Sequence, residues 1–134
     1  MNLTQNAFAG QSKSLPTITL VGRPTGLNAL AGGARGTPYT FQVHPLGEFF
    51  QPLPGVYAIC QQTDPQTLSV LYIGETEDLD ARVGEGFPSH HKWAAAILSG
   101  ATHVCVLVIR GGKIDRCAVE TSLRHAYNPP LNDQ

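Results

Sequence analysis

Gly55-Val56-Tyr57-Ala58-Ile59-Cys60-Gln61 and Leu68-Ser69-Val70-Leu71-Tyr72-Ile73-Gly74 decide how this chain folds. Both stretches are rich in β-branched and aromatic residues, and each carries one tyrosine and one glycine. The turn-rich loop Gln62–Thr67 separates them, so the pair reads as a β-hairpin with strands over Val56–Gln61 and Leu68–Gly74.

The pattern continues downstream. Glu77–Val83 reads as a short helix, with Thr76 or Asp78 as N-cap and Leu79 and Val83 on one side. Ser89 is placed to cap a second helix through Leu98, stopped by Gly100. Val104–Ile109 is a continuous apolar run, as expected of a central strand. Gly111-Gly112 makes a turn, and Lys113–Tyr127 is helical in composition until Pro129-Pro130. Upstream, Thr17–Val21 and Tyr39–His44 are strand-like, and Pro52 and Pro54 punctuate the chain before the hairpin. Residues 1–14 read as a loose tail and Gly22–Gly36 as a glycine-rich loop. That loop lacks the lysine followed by Ser or Thr that a phosphate-binding loop needs, because Leu27-Asn28 follows Gly26.

The chain has 134 residues, 42% apolar and 14% charged, which is one domain's worth of globular sequence. No apolar run approaches the ~20 residues of a membrane span. The polar start, Met1–Gly10, lacks the pattern of an export signal, so a cytoplasmic location is expected. Cys60, Cys105 and Cys117 form no C-x-x-C pair and read as small buried fillers. Net charge is −1. Between Gly55 and Asn132, six basic side chains face eight acidic ones, a balance of −2. Tight nucleic-acid binding by bulk charge is therefore excluded, because phosphate neutralisation supplies most non-specific affinity.

Several side chains could carry chemistry. Tyr57 and Tyr72 could be cross-strand aromatics or phenols beside a reacting group; a phenol acting as base would need a nearby cation, since its ordinary pKa is near ~10. Arg82, ten positions after Tyr72, could pair with Asp78 or donate to phosphate oxygens. Glu120 has Arg116 and Arg124 four residues to either side, the spacing of a salt-bridge ladder. His90, His91 and Lys92 are the local candidates for touching substrate. Asn132 follows Glu120 by twelve positions, after a proline-bearing turn.

Tyr57, Tyr72, Arg82, Glu120 and Asn132, in that order and spacing, resemble the GIY-YIG nuclease family over roughly residues 53–132. The resemblance implies an α/β (α+β) fold with a small three-stranded, mainly antiparallel sheet flanked by helices over residues 51–134. Residues 1–50 would be an N-terminal extension, partly flexible, with possible extra strands. It implies a metal-dependent endonuclease hydrolysing phosphodiester bonds in nucleic acid, with DNA expected ahead of RNA. Tyr57, Tyr72 and Arg82 would belong to the active site. Glu120 would be the one protein ligand to Mg²⁺ or Mn²⁺, and Asn132 would brace the framework. The acidic run Glu75-Thr76-Glu77-Asp78-Leu79-Asp80 departs from the pattern of repair-type members at that edge. A partner protein or homo-oligomer is expected to help hold substrate, with no membrane association. The alternative is an inactive GIY-YIG scaffold that binds nucleic acid or protein.

Overall fold

The strands sort their side chains onto two faces, and each face carries a buried apolar cluster. The computed structural model describes residues 2–4, 16–23 and 36–133. They form an α+β fold in which a curled antiparallel sheet carries three helices. The strands are β1 (Asn2–Thr4), β2 (Thr17–Val21), β3 (Pro38–Pro45), β4 (Gly55–Asp64), β5 (Thr67–Thr76) and β6 (His103–Val108). The helices are α1 (Leu79–Val83), α2 (Trp93–Leu98) and α3 (Lys113–Tyr127), with a 3₁₀ turn at Phe87–Ser89. The spatial order is β1-β5-β4-β6-β3-β2, antiparallel throughout. Most of the 1–14 tail and residues 24–35 of the glycine-rich segment lie outside the described residues.

The three-stranded sheet expected from the sequence is too small. β5, β4 and β6 form its middle, and β3 and β2 extend it from the far edge of β6. Burial is the reason. Ile18, Leu20, Phe41 and Val43 alternate onto the face that holds Val56, Ala58, Cys60 and Cys105, and together they make one core under α3. The opposite face presents Tyr57, Ile59, Val104 and Val106 to Leu79, Val83, Phe87 and Ala96.

A register shift in the hairpin decides where the second tyrosine goes. Ile59 pairs with Tyr72 while the next residue, Cys60, pairs with Val70, so Leu71 is the extra residue of a bulge. Beyond it Tyr72 and Gly74 oppose Ile59 and Tyr57, on the same face. Cys60 and Cys105 lie side by side in the other core with sulfurs 3.9 Å apart, whereas Cys117 is only half-buried.

α3 buries a stripe of Arg116, Val119, Leu123 and Tyr127 against the sheet. It ends at Asn128, which adopts the left-handed conformation (φ 45°) and returns its N–H to the Arg124 carbonyl. The second short helix differs from expectation. Ser89 does not cap it; the chain makes the 3₁₀ turn first and starts the helix at Trp93, with no side-chain cap bond. Pro88 suits the first turn of such a tight element.

Three of the four acids in the run, all but the exposed Glu77, are engaged by the fold. Glu75 pairs with Arg116 (Nε–Oε1 2.9 Å) and Lys113 (3.7 Å). Asp78 caps α1 by accepting the Ala81 N–H, and Asp80 accepts the N–H groups of Phe50 and Glu85. Arg116 therefore faces the sheet rather than Glu120, and it is not a surface cation. No helix among the described residues is long and apolar enough to cross a membrane.

The Arg116–Glu75 pair is expected to be costly to break from one side. Its side chains are only 5% and 16% exposed, so Glu75→Ala leaves a buried guanidinium without its main partner. Urea denaturation should show a loss of about 3 kcal/mol. A loss below ~1 kcal/mol, the range of exposed pairs, would show that water replaces Glu75.

Candidate functional site

Gly74 has no Cβ, and the space a Cβ would take is filled by the Tyr57 phenol. The glycine is required here by close approach, and its φ is not positive. Tyr57 is 1% exposed. Its hydroxyl oxygen lies 2.7 Å from His90 Nε2 and accepts the Arg82 Nε–H at 3.4 Å. The Lys92 backbone N–H donates to His90 Nδ1 at 2.9 Å, and an Arg82 Nη2–H donates to His91 Nδ1 at 3.1 Å.

Around these bonds the rings pack closely. Tyr57 and Tyr72 are 6.2 Å apart between centroids, and Tyr72 meets both histidines edge-on at 5.3 and 5.9 Å. His90 and His91 stack at 4.7 Å with planes 9° apart. The structure thus brings Tyr57, Tyr72, Arg82, His90 and His91 together. Lys92 turns away and pairs with Asp133. Asp78, four residues before Arg82 and spaced to pair with it, is instead occupied as the α1 cap.

Asn132 works on the backbone. Its Oδ1 accepts the Ile73 N–H and its Nδ2–H donates to the Ile73 carbonyl, both at 2.9 Å, while the Leu131 N–H donates to the Leu71 carbonyl. A side-chain amide therefore stands in for a neighbouring strand at the β5 edge, between Tyr72 and Gly74. The turn after α3 brings it there.

Glu120 is half-buried on α3, and its carboxylate lies 3.9 Å from Arg124 Nη1, too far for a hydrogen bond. Burial pushes its carboxyl above the usual range, and Arg124 opposes that. Burial also raises both phenols; the Arg82 hydrogen bond pulls Tyr57 back, and the Glu120 charge raises both tyrosines further. His90 moves the other way. Burial and then the Arg82, His91 and Lys92 charges lower it to about 4, so it is neutral at pH 7.

Among the described residues no three His, Cys, Asp or Glu side chains cluster to cage a metal ion. A single carboxylate still suits Mg²⁺, which keeps several waters and draws on substrate oxygens. A half-buried carboxylate whose ionised form is disfavoured, and which accepts no hydrogen bond from the described residues, fits such a cation.

No protein-family model, curated protein or solved structure matches this chain.

The inward position of His90 was not read from the sequence, which placed it with His91 and Lys92 as a substrate contact. Its signal is the tight turn itself. Residues i and i+3 eclipse in a 3₁₀ turn, so Phe87 and His90 both point inward.

The His90 shift sets an expected pH dependence. Its folded-state pKa of about 4 lies below the ordinary 6.5. As pH falls from 6.5 toward 4 the unfolded chain takes up a proton that the folded chain refuses, so stability declines over that window. Urea denaturation between pH 7 and 4.5 should show a gentler decline for His90→Gln than for wild type. Equal slopes would mean that His90 titrates normally in the folded protein.

Proposed function

We propose that this chain is a divalent-metal-dependent endonuclease of GIY-YIG type, hydrolysing phosphodiester bonds in nucleic acid, DNA ahead of RNA. The observation that carries the reading is the state of Arg82. Among the described residues this half-buried guanidinium forms no ion pair; two of its N–H groups go to neutral partners, Tyr57 and His91. No carboxylate among the described residues lies within ion-pair distance of it. Three of its five N–H donors remain for an anion, and a planar fork matches phosphate oxygens.

In this reading the site residues divide the work. Arg82 binds the phosphate and stabilises charge as the pentacovalent arrangement forms. Tyr72, half-buried and raised above its ordinary pKa, stays a neutral phenol and orders the attacking water through its oxygen lone pair. Tyr57, covered by its neighbours, holds Arg82 in place. Asn132 keeps Tyr72-Ile73-Gly74 extended. Glu120 would hold the metal ion, which when bound polarises the phosphate and stabilises the leaving oxygen.

Affinity for substrate would be low. Arg116 and Lys113 are tied to Glu75, and Lys92 to Asp133. With Arg82 and one or two exposed cations engaged, the slope of log affinity against log salt should be about two. A partner protein or a second copy would then help hold long substrates. The net negative domain and the covered Tyr57 favour a second reading, an inactive scaffold that binds nucleic acid or protein.

Pure protein incubated with plasmid, single-stranded DNA and RNA should cleave with Mg²⁺ or Mn²⁺ and stop with EDTA. Arg82→Ala should lose at least ~100-fold in rate. Glu120→Gln should abolish cleavage yet melt at or above wild type at pH 7. There the ionised carboxyl is the form that burial disfavours, so a neutral isostere removes a cost. Full activity in Glu120→Gln would overturn the metal site. Metal-independent binding without cleavage of any substrate would establish the scaffold reading instead.

A further inference from the structure

His90 is 4% exposed and hydrogen-bonded through both ring nitrogens. Its Nδ1 faces the Lys92 backbone N–H, which can only donate. Nδ1 must therefore carry the lone pair. A neutral imidazole with a lone pair on Nδ1 has its hydrogen on Nε2, and Nε2 is the atom 2.7 Å from the Tyr57 oxygen. The hydrogen bond therefore runs from His90 to Tyr57.

The same oxygen accepts the Arg82 Nε–H. Two donors thus point at one phenol oxygen, and the phenol's own hydrogen is directed away from both. Nothing in this chain of bonds lets His90 take a proton from Tyr57, because Nε2 already carries one and Nδ1 is engaged by a backbone amide. What His90 does is fix the phenol, and the phenol in turn fixes Arg82.

We infer that His90 is a positioning residue, held as the Nε2–H tautomer by the Lys92 amide, whose N–H locks Tyr57 and through it the Arg82 guanidinium. This deepens the nuclease reading and rests on it for the consequence in rate, though the tautomer does not. The groups facing the imidazole all agree with a neutral ring. Arg82, His91 and Lys92 bring positive or neutral charge from α1 and the segment before α2, Tyr57 and Tyr72 are uncharged phenols from the sheet, and Phe87 from the 3₁₀ turn is apolar.

Three measurements on the full chain test it. Imidazole ¹⁵N–¹H correlation spectra should show His90 protonated on Nε2 alone from pH 7 to about 5.5. Protonation on Nδ1, or on both nitrogens at pH 6.5, overturns the assignment whether or not the protein cleaves anything. The Tyr57 Cζ resonance, a reporter of hydrogen bonding to the phenol oxygen, should move in His90→Ala and stay near wild type in His90→Gln, whose amide N–H replaces Nε2–H. In cleavage, His90→Ala should lose about 100-fold in kcat/KM and His90→Gln should recover to within about tenfold, with no His90 inflection between pH 5.5 and 8. If His90 relays protons instead, His90→Gln is as inactive as His90→Ala, since an amide cannot shuttle a proton. Absence of cleavage in wild type counts against the nuclease reading alone, and the two spectroscopic results still decide the role of His90.

Discussion

Tyr57 can lie across Gly74 only because β4 and β5 place the two residues opposite one another and Gly74 has no Cβ to stop the ring. That contact sets the depth of the phenol, and the depth sets everything bonded to it. His90 reaches the oxygen from the turn after α1, and Arg82 reaches it from α1 itself. The Leu71 bulge matters for the same reason. Were Leu71 instead paired with Ile59 in a regular ladder, Tyr72 would oppose Ala58, point into the core under α3 and lie on the face opposite Tyr57. One hairpin register thus places both tyrosines, and the C-terminal segment secures it by clamping Ile73 with the Asn132 amide.

Electrostatics single out the same place. Several charges near the site are already committed: Glu75 to Arg116 and Lys113, Asp78 and Asp80 to backbone N–H groups, Lys92 to Asp133. Arg82 is held by neutral atoms, and Glu120 is a carboxylate in surroundings that disfavour its charge. A cation without an ion pair among the described residues and a carboxylate whose charge burial disfavours, near two phenols, cost the fold something, and such costs cluster where a ligand relieves them. A phosphate on Arg82 and a divalent cation on Glu120 would relieve both.

Much of the fold was legible because it is local. The hairpin strands follow from their β-branched and aromatic content and the turn-rich loop between them, and Lys113–Tyr127 was bounded correctly by Gly112 and Pro129. What escaped is tertiary. Nothing in the periodicity of Tyr39–His44 says that β3 will pair with β6, so the sheet was expected with three strands. Arg116 and Glu120 stand four apart on one helix, and the local rule pairs them. Glu75, distant in sequence, takes Arg116 because the sheet buries that turn of α3. Ser89 looked like a cap for the same local reason. For the candidate site, the resemblance carried by the ordered motifs chose Tyr57, Tyr72 and Arg82, which the structure joins, and Asn132, which it places on the β5 edge. The histidine roles were not in the spacing, since only the eclipsed 3₁₀ turn sends His90 inward and leaves His91 outside.

The central claim is that Arg82 and Glu120 face one phosphate. A crystal of the Tyr72→Phe protein grown with Mn²⁺ and a short duplex, with data collected at the manganese edge, tests this most directly. The account predicts an anomalous peak at the Glu120 carboxylate, with a backbone phosphate between that ion and the Arg82 guanidinium. A manganese ion bound elsewhere, or DNA lying on another face with Arg82 still holding only Tyr57 and His91, would contradict it.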